Sequence, residues 1–236
     1  MPHPRHDCPP PPADSHPPWV AQLNATLEPL QDAILMTPVI EDASENRLDK
    51  HRIGEFLVAF YPVIRDFPFW LHVLRDRSPD DGRPFFEDNI RVERRHEAMW
   101  RAMGESFGVS RDRFHAPEPV LEVDAFHEFL TATCRDATFG SAVSATNYAI
   151  EGMAQRISEK ALRGLGKNEK IGPKGRWWLE EHAKYDDEHP VQALEIVKRC
   201  VERGESVEAV TQAAFESLAL MRKAMIAAYS NGGPED

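Results

Sequence analysis

A chain of 236 residues, 42% of them hydrophobic, can bury one substantial core, and neither an internal repeat nor a linker-like shift divides it after the first residues. Its formal charge of −11 argues against nucleic acid as a partner, because a phosphate-binding surface needs a basic stripe. No apolar run approaches the roughly 20 residues of a bilayer span, and the N-terminus lacks the basic-then-apolar layout of a signal peptide, so a cytoplasmic protein without membrane contact is expected.

Residues 1–18 are rich in proline, with His3, His6 and His16 among them. Such a segment cannot build a helix or a core, so a mobile tail is expected before a single domain over 19–236. From Trp19 to about Met36 the spacing of Trp19, Leu23, Leu27, Leu30 and Ile34 is helical, with a kink at Pro29 and a stop at Thr37-Pro38. A second helix runs from about Leu48 to Arg75 through Ile53, Phe56, Phe60, Ile64, Phe67 and Leu71, interrupted at Pro62 and Pro68. After the turn Ser78-Pro79-Asp80-Asp81-Gly82, a third runs from about Pro84 to Phe107 with the stripe Phe86, Asn89, Glu93, His96, Trp100, Met103, Phe107. Glu93 and His96 are a carboxylate and an imidazole one turn apart on an otherwise apolar face, able to chelate one ion. Glu97 competes, but Glu93 lies nearer the centre of the stripe.

Pro117-Glu118-Pro119 breaks the chain before a helix at about 121–135. His127 there, like His51, His72 and His115, has no neighbour in sequence that completes a site and reads as structural or surface. From about Thr138 to Leu165 the face Gly140, Val143, Asn147, Glu151, Ala154, Ser158, Ala161, Leu165 is made of small residues apart from one acid. The following Gly164-x-Gly166 lacks a third glycine and a βαβ context, so it does not read as a dinucleotide loop. In the next helix His182, Asp186 and His189 fall within roughly 60° of one another, on the face that continues through Trp178, Ala193, Ile196 and Cys200. Pro190 removes the amide that would bond the Asp186 carbonyl, so a bend is expected there. A last helix from about Val207 to Tyr229 stops at Asn231-Gly232-Gly233. No alternating strand pattern occurs, and the expectation is an all-α bundle of about seven helices. Cys8, Cys134 and Cys200 are widely spaced and odd in number, which points to free thiols rather than a disulfide frame.

Glu93, His96, Glu151, His182, Asp186 and His189 are thus polar residues on apolar faces. A buried charge is costly unless it is paired or bound to a metal. Three carboxylates supply about −3 against the +4 of two ferrous ions, with imidazoles as terminal ligands. Zinc alone would need only three or four of the six. A ferritin-like bundle needs a second E-x-x-H motif, and Glu151 is followed three residues later by Ala154.

Asn89-x-x-x-Glu93-x-x-His96, the lone Glu151 and His182-x-x-x-Asp186-x-x-His189, taken in order with the Tyr61-Pro62 and Phe67-Pro68 helix, resemble the haem-oxygenase-like diiron oxidases and oxygenases, relatives of the TenA and PqqC proteins. The resemblance covers most of residues 20–230. It implies a seven-helix haem-oxygenase-like bundle, often a homodimer, with those six residues as metal ligands and catalytic site. The implied cofactor is two loosely held iron ions, cycling between Fe2+ and Fe3+, with manganese an option at one position and O2 as co-substrate. An external reductant and a small substrate resembling an amino acid, amine or fatty acid complete the picture. It does not imply haem, for the only histidine near the first helix, His16, sits in the proline tail. Arg135, Arg156, Lys160, Tyr148 and Tyr185 could anchor a carboxylate or shape the pocket, but surface or packing roles are the favoured reading of all five. Two competing expectations stand: a metal-free TenA- or PqqC-like enzyme, with Cys134 as the TenA-type thiol, and a non-catalytic helical dimer whose His, Asp and Glu faces form an ion-pair network.

Overall fold

Prolines and polar caps set where the helices begin. In the computed structural model, which describes residues 16–79, 82–168, 171–185 and 188–232, α1 (Pro18–Leu35), α2 (Pro38–Ser44), α4 (Arg83–Glu93) and α10 (Pro173–Tyr185) each carry proline in their first two positions. A missing amide costs nothing there and φ is already helical. The two longest helices, α3 (Lys50–Arg77) and α12 (Val207–Asn231), are capped by side chains: Asp49 accepts from the Arg52 amide at 2.8 Å and Ser206 from the Ala209 amide at 3.2 Å.

The remaining elements are α5 (His96–Ser106), α6 (Arg111–His115), α7 (Leu121–Asp136), α8 (Phe139–Val143), a π-helical segment (Ser144–Glu151), α9 (Gly152–Leu165) and α11 (Glu188–Glu202). No strand occurs among the described residues. α12 packs against α1, α3, α7 and the π segment, while α10 lies on α5 and α9. α3 has the length and hydropathy of a membrane span, which the apolar runs in the sequence did not suggest, but 56% of that stretch is buried inside the protein. It is the central core helix of the bundle.

The expected seven rods become twelve α-helices among the described residues, because three rods are cut and the short α2 and α6 form in the connections between rods. The third is divided at Arg94–Arg95 into α4 and α5, the rod over 138–165 carries the π segment, and the His182 rod is divided into α10 and α11. Pro29, Pro62 and Pro68, expected as kinks or interruptions, lie within α1 and α3. Pro190 is the third residue of α11, where its lack of an amide is harmless, so α11 starts ahead of the expected bend. Residues 1–15 of the proline-rich segment, and Asp186, lie outside the described residues.

One close approach is testable. A Cβ on Gly164 would run into the carbonyls of Ala43 and Ser44 and the amide of Asn46, all backbone, where α9 meets the end of α2. Gly164→Ala should therefore cost about 1–3 kcal/mol in urea unfolding. Gly172→Ala is the control, since nothing lies within 4 Å of that added carbon.

Candidate metal centre

Glu93 closes α4 and His96 opens α5. Between them Arg94 and Arg95 stay right-handed (φ, ψ −54°, −20° and −93°, −20°), but the Arg95 amide reaches only three residues back, to Val92, at 3.2 Å. This tightened turn still leaves the two side chains together: His96 Nδ1 lies 2.7 Å from Glu93 Oε2. Both residues are buried. His96 Nε2 has no hydrogen-bond partner among the described residues, an exception to the rule that buried polar atoms are satisfied.

α10 brings His182 to the same place. Its Nδ1 donates to the Trp178 carbonyl at 2.8 Å. A carbonyl only accepts, so the proton sits on Nδ1 and Nε2 is the ring's acceptor nitrogen, the tautomer a metal requires. Ligand atoms of Glu93, His96 and His182 lie within 4.8 Å of one another, and the two imidazoles are 4.3 Å apart. Burial, then the neighbouring His96, holds the His182 imidazole down to about 3. For Glu93 burial works against the charge, but His96, followed by His182 and His189, outweighs it and holds the carboxyl below its ordinary value.

Glu151 is the last residue of the π segment, a helix form concentrated at functional sites. Its Oε1 accepts from Asn89 Nδ2 at 2.8 Å and Asn147 Nδ2 at 2.6 Å. Oε2 faces His189 Nδ1 at 3.1 Å, an ion-pair contact without hydrogen-bond alignment. Each asparagine occurs four residues before a carboxylate, in the stripes Asn89…Glu93 and Asn147…Glu151. That spacing was the available signal for a clamp that side-chain chemistry alone does not announce.

Glu93, His96, Glu151 and His182 open on one cavity of about 120 Å³ whose other described walls are apolar, Phe56, Phe60, Phe67, Met221 and Met225 among them. No lysine or arginine lines it among the described residues. The donor set of carboxylates and imidazoles, with an orphaned ring nitrogen and no cation lining the cavity, fits a metal. Of the six expected ligands the structure therefore gathers five into one buried region, and the sixth, Asp186, is not described.

The four described residues weighed as possible anchors take the favoured surface and packing roles. Arg156 donates to Gln31 and Asp32, both at 2.8 Å, and Lys160 to the Leu35 carbonyl at 2.9 Å and to Glu41. Tyr148 bonds Asn24, and Arg135 pairs with Asp136. Arg156, Lys160 and Tyr148 tie helices together while Arg135 pairs within its own helix, and none of the four lines the cavity; the Tyr185 side chain is not described. Cys134 is absent from the cavity wall too, and burial pushes its thiol up to about 12. His127 pairs with Asp66 at 2.8 Å. Glu97 turns away to the Tyr61 hydroxyl, which donates to it at 2.6 Å.

An all-helical bundle with a buried group of carboxylates and imidazoles is the architecture on the page, and comparison places it in the haem-oxygenase-like fold. The family described as iron-containing redox enzyme matches residues 54–222, and the chain belongs to it. A search of curated proteins found no match. Among solved structures the chain is similar to a TenA homolog from Pseudomonas syringae pv. tomato (24% identity, 94% of this chain and 97% of that one, TM-score 0.86). It is also similar to a TenA homologue from Pyrococcus furiosus (16%, 89% and 99%, 0.77). A third is a domain with a heme oxygenase-like fold from Shewanella denitrificans (16%, 90% and 92%, 0.72). Identities at this level speak for the fold alone.

Proposed function

We propose that the protein is a non-haem diiron oxidase or oxygenase that uses O2 to oxidise a small molecule. The observation that carries this reading is the pairing of two buried carboxylate–imidazole groups with an apolar cavity that no lysine or arginine lines among the described residues. Glu93, His96 and His182 would hold one iron; Glu151 and His189, with Asp186 by its sequence position, the other. Bound iron supplies the electrons that dioxygen needs and an oxidising centre at the cavity wall. The chain's own contributions are positional. Asn89 and Asn147 hold Oε1 of Glu151 and so aim Oε2 inward. The Trp178 carbonyl fixes the His182 tautomer, and the apolar walls exclude water from the reacting end.

The cavity also narrows the substrate. A dry cavity of about 150 Å³ takes up benzene, so about 120 Å³ suits a comparably small apolar body, and a longer chain needs Met221 and Met225 to give way. The polar head, acid or amine, then lies against the carboxylate–imidazole end, where desaturation, carbon–carbon cleavage or N-oxygenation would take place. A small-molecule substrate, an external reductant, a homodimer and a cytoplasmic setting belong to the same reading. The metal-free TenA-like alternative loses its thiol, because Cys134 is not at the cavity.

Anaerobic ferrous titration of metal-free protein tests the proposal. Uptake of about two irons per chain, followed by a transient visible band on admitting air, is expected. A protein that takes up no iron, and whose stability chelators leave unchanged, would be the scaffold with an ion-pair network instead. Asn147→Ala should release Glu151 and weaken iron at one of the two positions by roughly 10–100-fold, read in the same titration, with the helical circular dichroism unchanged.

A further inference from the structure

We propose that Trp178, Trp100 and Tyr229 form an electron relay between the buried Glu93–His96–His182 group and the surface beside Asp42, and that Asp42 takes the phenolic proton when Tyr229 gives up its electron. The relay rests on the iron reading above for its oxidant, though not for its geometry. The Trp178 indole lies against the His182 imidazole, 3.8 Å between centroids and 31° between planes. Trp100 meets Trp178 edge-on at 5.1 Å. Phe56 lies 6.2 Å beyond Trp100, and Tyr229 6.4 Å beyond Phe56. The Tyr229 hydroxyl donates to Asp42 Oδ2 at 2.9 Å. Both Trp100 and Tyr229 are buried, whereas the Asp42 side chain is 23% exposed. The series thus starts on a candidate ligand and ends where water begins.

Trp100 Nε1 donates to the Leu57 carbonyl at 2.8 Å, but packing alone does not account for Trp178. Trp178 Nε1 is buried without a hydrogen-bond partner among the described residues, a desolvation cost that phenylalanine would avoid. What the indole adds over phenyl is a ring that is far easier to oxidise. At the outer end burial, then Asp42, raises the Tyr229 phenol well above its usual range. It is therefore protonated, and it loses an electron readily only if the proton leaves as well. Arg52 sits 4.2 Å over the ring and disfavours a ring cation, while Asp42 is the base in contact.

The steps balance. Iron held at the site and oxidised by O2 would accept one electron from Trp178 and be reduced by one electron. Trp100 refills the Trp178 cation radical, and Tyr229 refills Trp100 across Phe56, whose phenyl ring serves as a bridge without being oxidised. Tyr229 breaks its O–H bond, sending the electron inward and the proton to Asp42, and becomes a neutral phenoxyl radical. A one-electron donor of the thiol or ascorbate class, with the proton returned by Asp42, restores the phenol. An electron thereby crosses a dry core in which no ion could follow it.

The test has a metal-free arm and an iron arm. In metal-free protein, azide radicals made by pulse radiolysis oxidise tryptophan, and transfer appears as indolyl absorption giving way to phenoxyl absorption. Tyr229→Phe and Trp100→Phe should each slow that conversion at least about tenfold. Asp42→Asn should slow it with the ring still in place, and Tyr148→Phe should leave it unchanged. An unchanged rate in Tyr229→Phe overturns the relay whatever iron does. In the iron arm, ferrous-loaded protein is exposed to air without substrate in the presence of a nitroso spin trap, and the adduct is mapped by peptide mass spectrometry. It should fall on Tyr229 and be lost in Trp178→Phe. If iron binds and oxidises without a Tyr229 adduct, the relay does not reach the site and the proposal falls. If no iron binds, the functional reading fails, while the metal-free rates still decide the relay.

Discussion

His182→Ala should bind no more than one iron per chain in ferrous titration, whereas His127→Ala should bind as much as the unaltered protein. His182 is the residue through which α10 joins the Glu93–His96 pair, and its ligand atom completes the group lying within 4.8 Å. Its Nδ1 is spent on the Trp178 carbonyl, so the imidazole stands ready with the correct nitrogen forward, and alanine removes both the donor and the preorganisation. Disturbing only the partner that orients a metal-bound histidine commonly weakens a site by about 10–100-fold; deleting the ligand itself should exceed that. His127 has a different setting. It pairs with Asp66 at 2.8 Å and lies beside Trp70, with 27% of its side chain exposed, and it does not line the cavity. If His127→Ala damages iron uptake as much as His182→Ala, or His182→Ala keeps full uptake, the ligand assignment is wrong.

Helical phase made the buried faces legible. Glu93, His96, Glu151, His182 and His189 were placed inside by their spacing among apolar neighbours, and all are buried. The breaks were less legible. No proline or glycine marks Arg94–Arg95, so one helix was expected where two occur. The π segment left a faint trace: the steps Val143 to Asn147 to Glu151 are two fours in succession, where an α-helix alternates threes and fours. The small residues around them explain why the wider turn fits without clashes. The spacing left open whether Arg156, Lys160 and Tyr148 face the cavity or tie helices together, for another reason. A long side chain can share a helix phase with the core and still reach outward, and its partners Gln31, Glu41 and Asn24 sit on helices far away in sequence. Nothing local reveals such pairings.

Metal-free protein should lose stability steeply as pH falls below about 6.5, and bound iron should protect it. The unfolded His182 titrates at its ordinary 6.5 and the folded one at about 3. Above pH 6.5 both forms are neutral and the difference contributes nothing. Between these values the unfolded chain takes up a proton that the folded protein refuses, so acid favours unfolding by about 1.4 kcal/mol per pH unit. Over that whole window the loss is on the order of 5 kcal/mol, comparable with the entire stability of many domains. Glu93 adds to the loss at the low end. Its folded carboxyl is held below its ordinary value, so its contribution is present above the ordinary carboxyl range and disappears as pH falls through the folded value. Urea midpoints of metal-free protein at a series of pH values between 7 and 4 measure the slope. His182→Leu, which puts an apolar side chain among apolar neighbours and removes the titrating ring, should flatten it between pH 6.5 and 4.5. Ferrous iron, bound under anaerobic conditions, should raise the midpoint of the unaltered protein above pH 6, because a metal that prefers the folded state stabilises it by mass action, and should do so far less in His182→Leu. Equal slopes in the two proteins would mean that acid acts through groups outside this site.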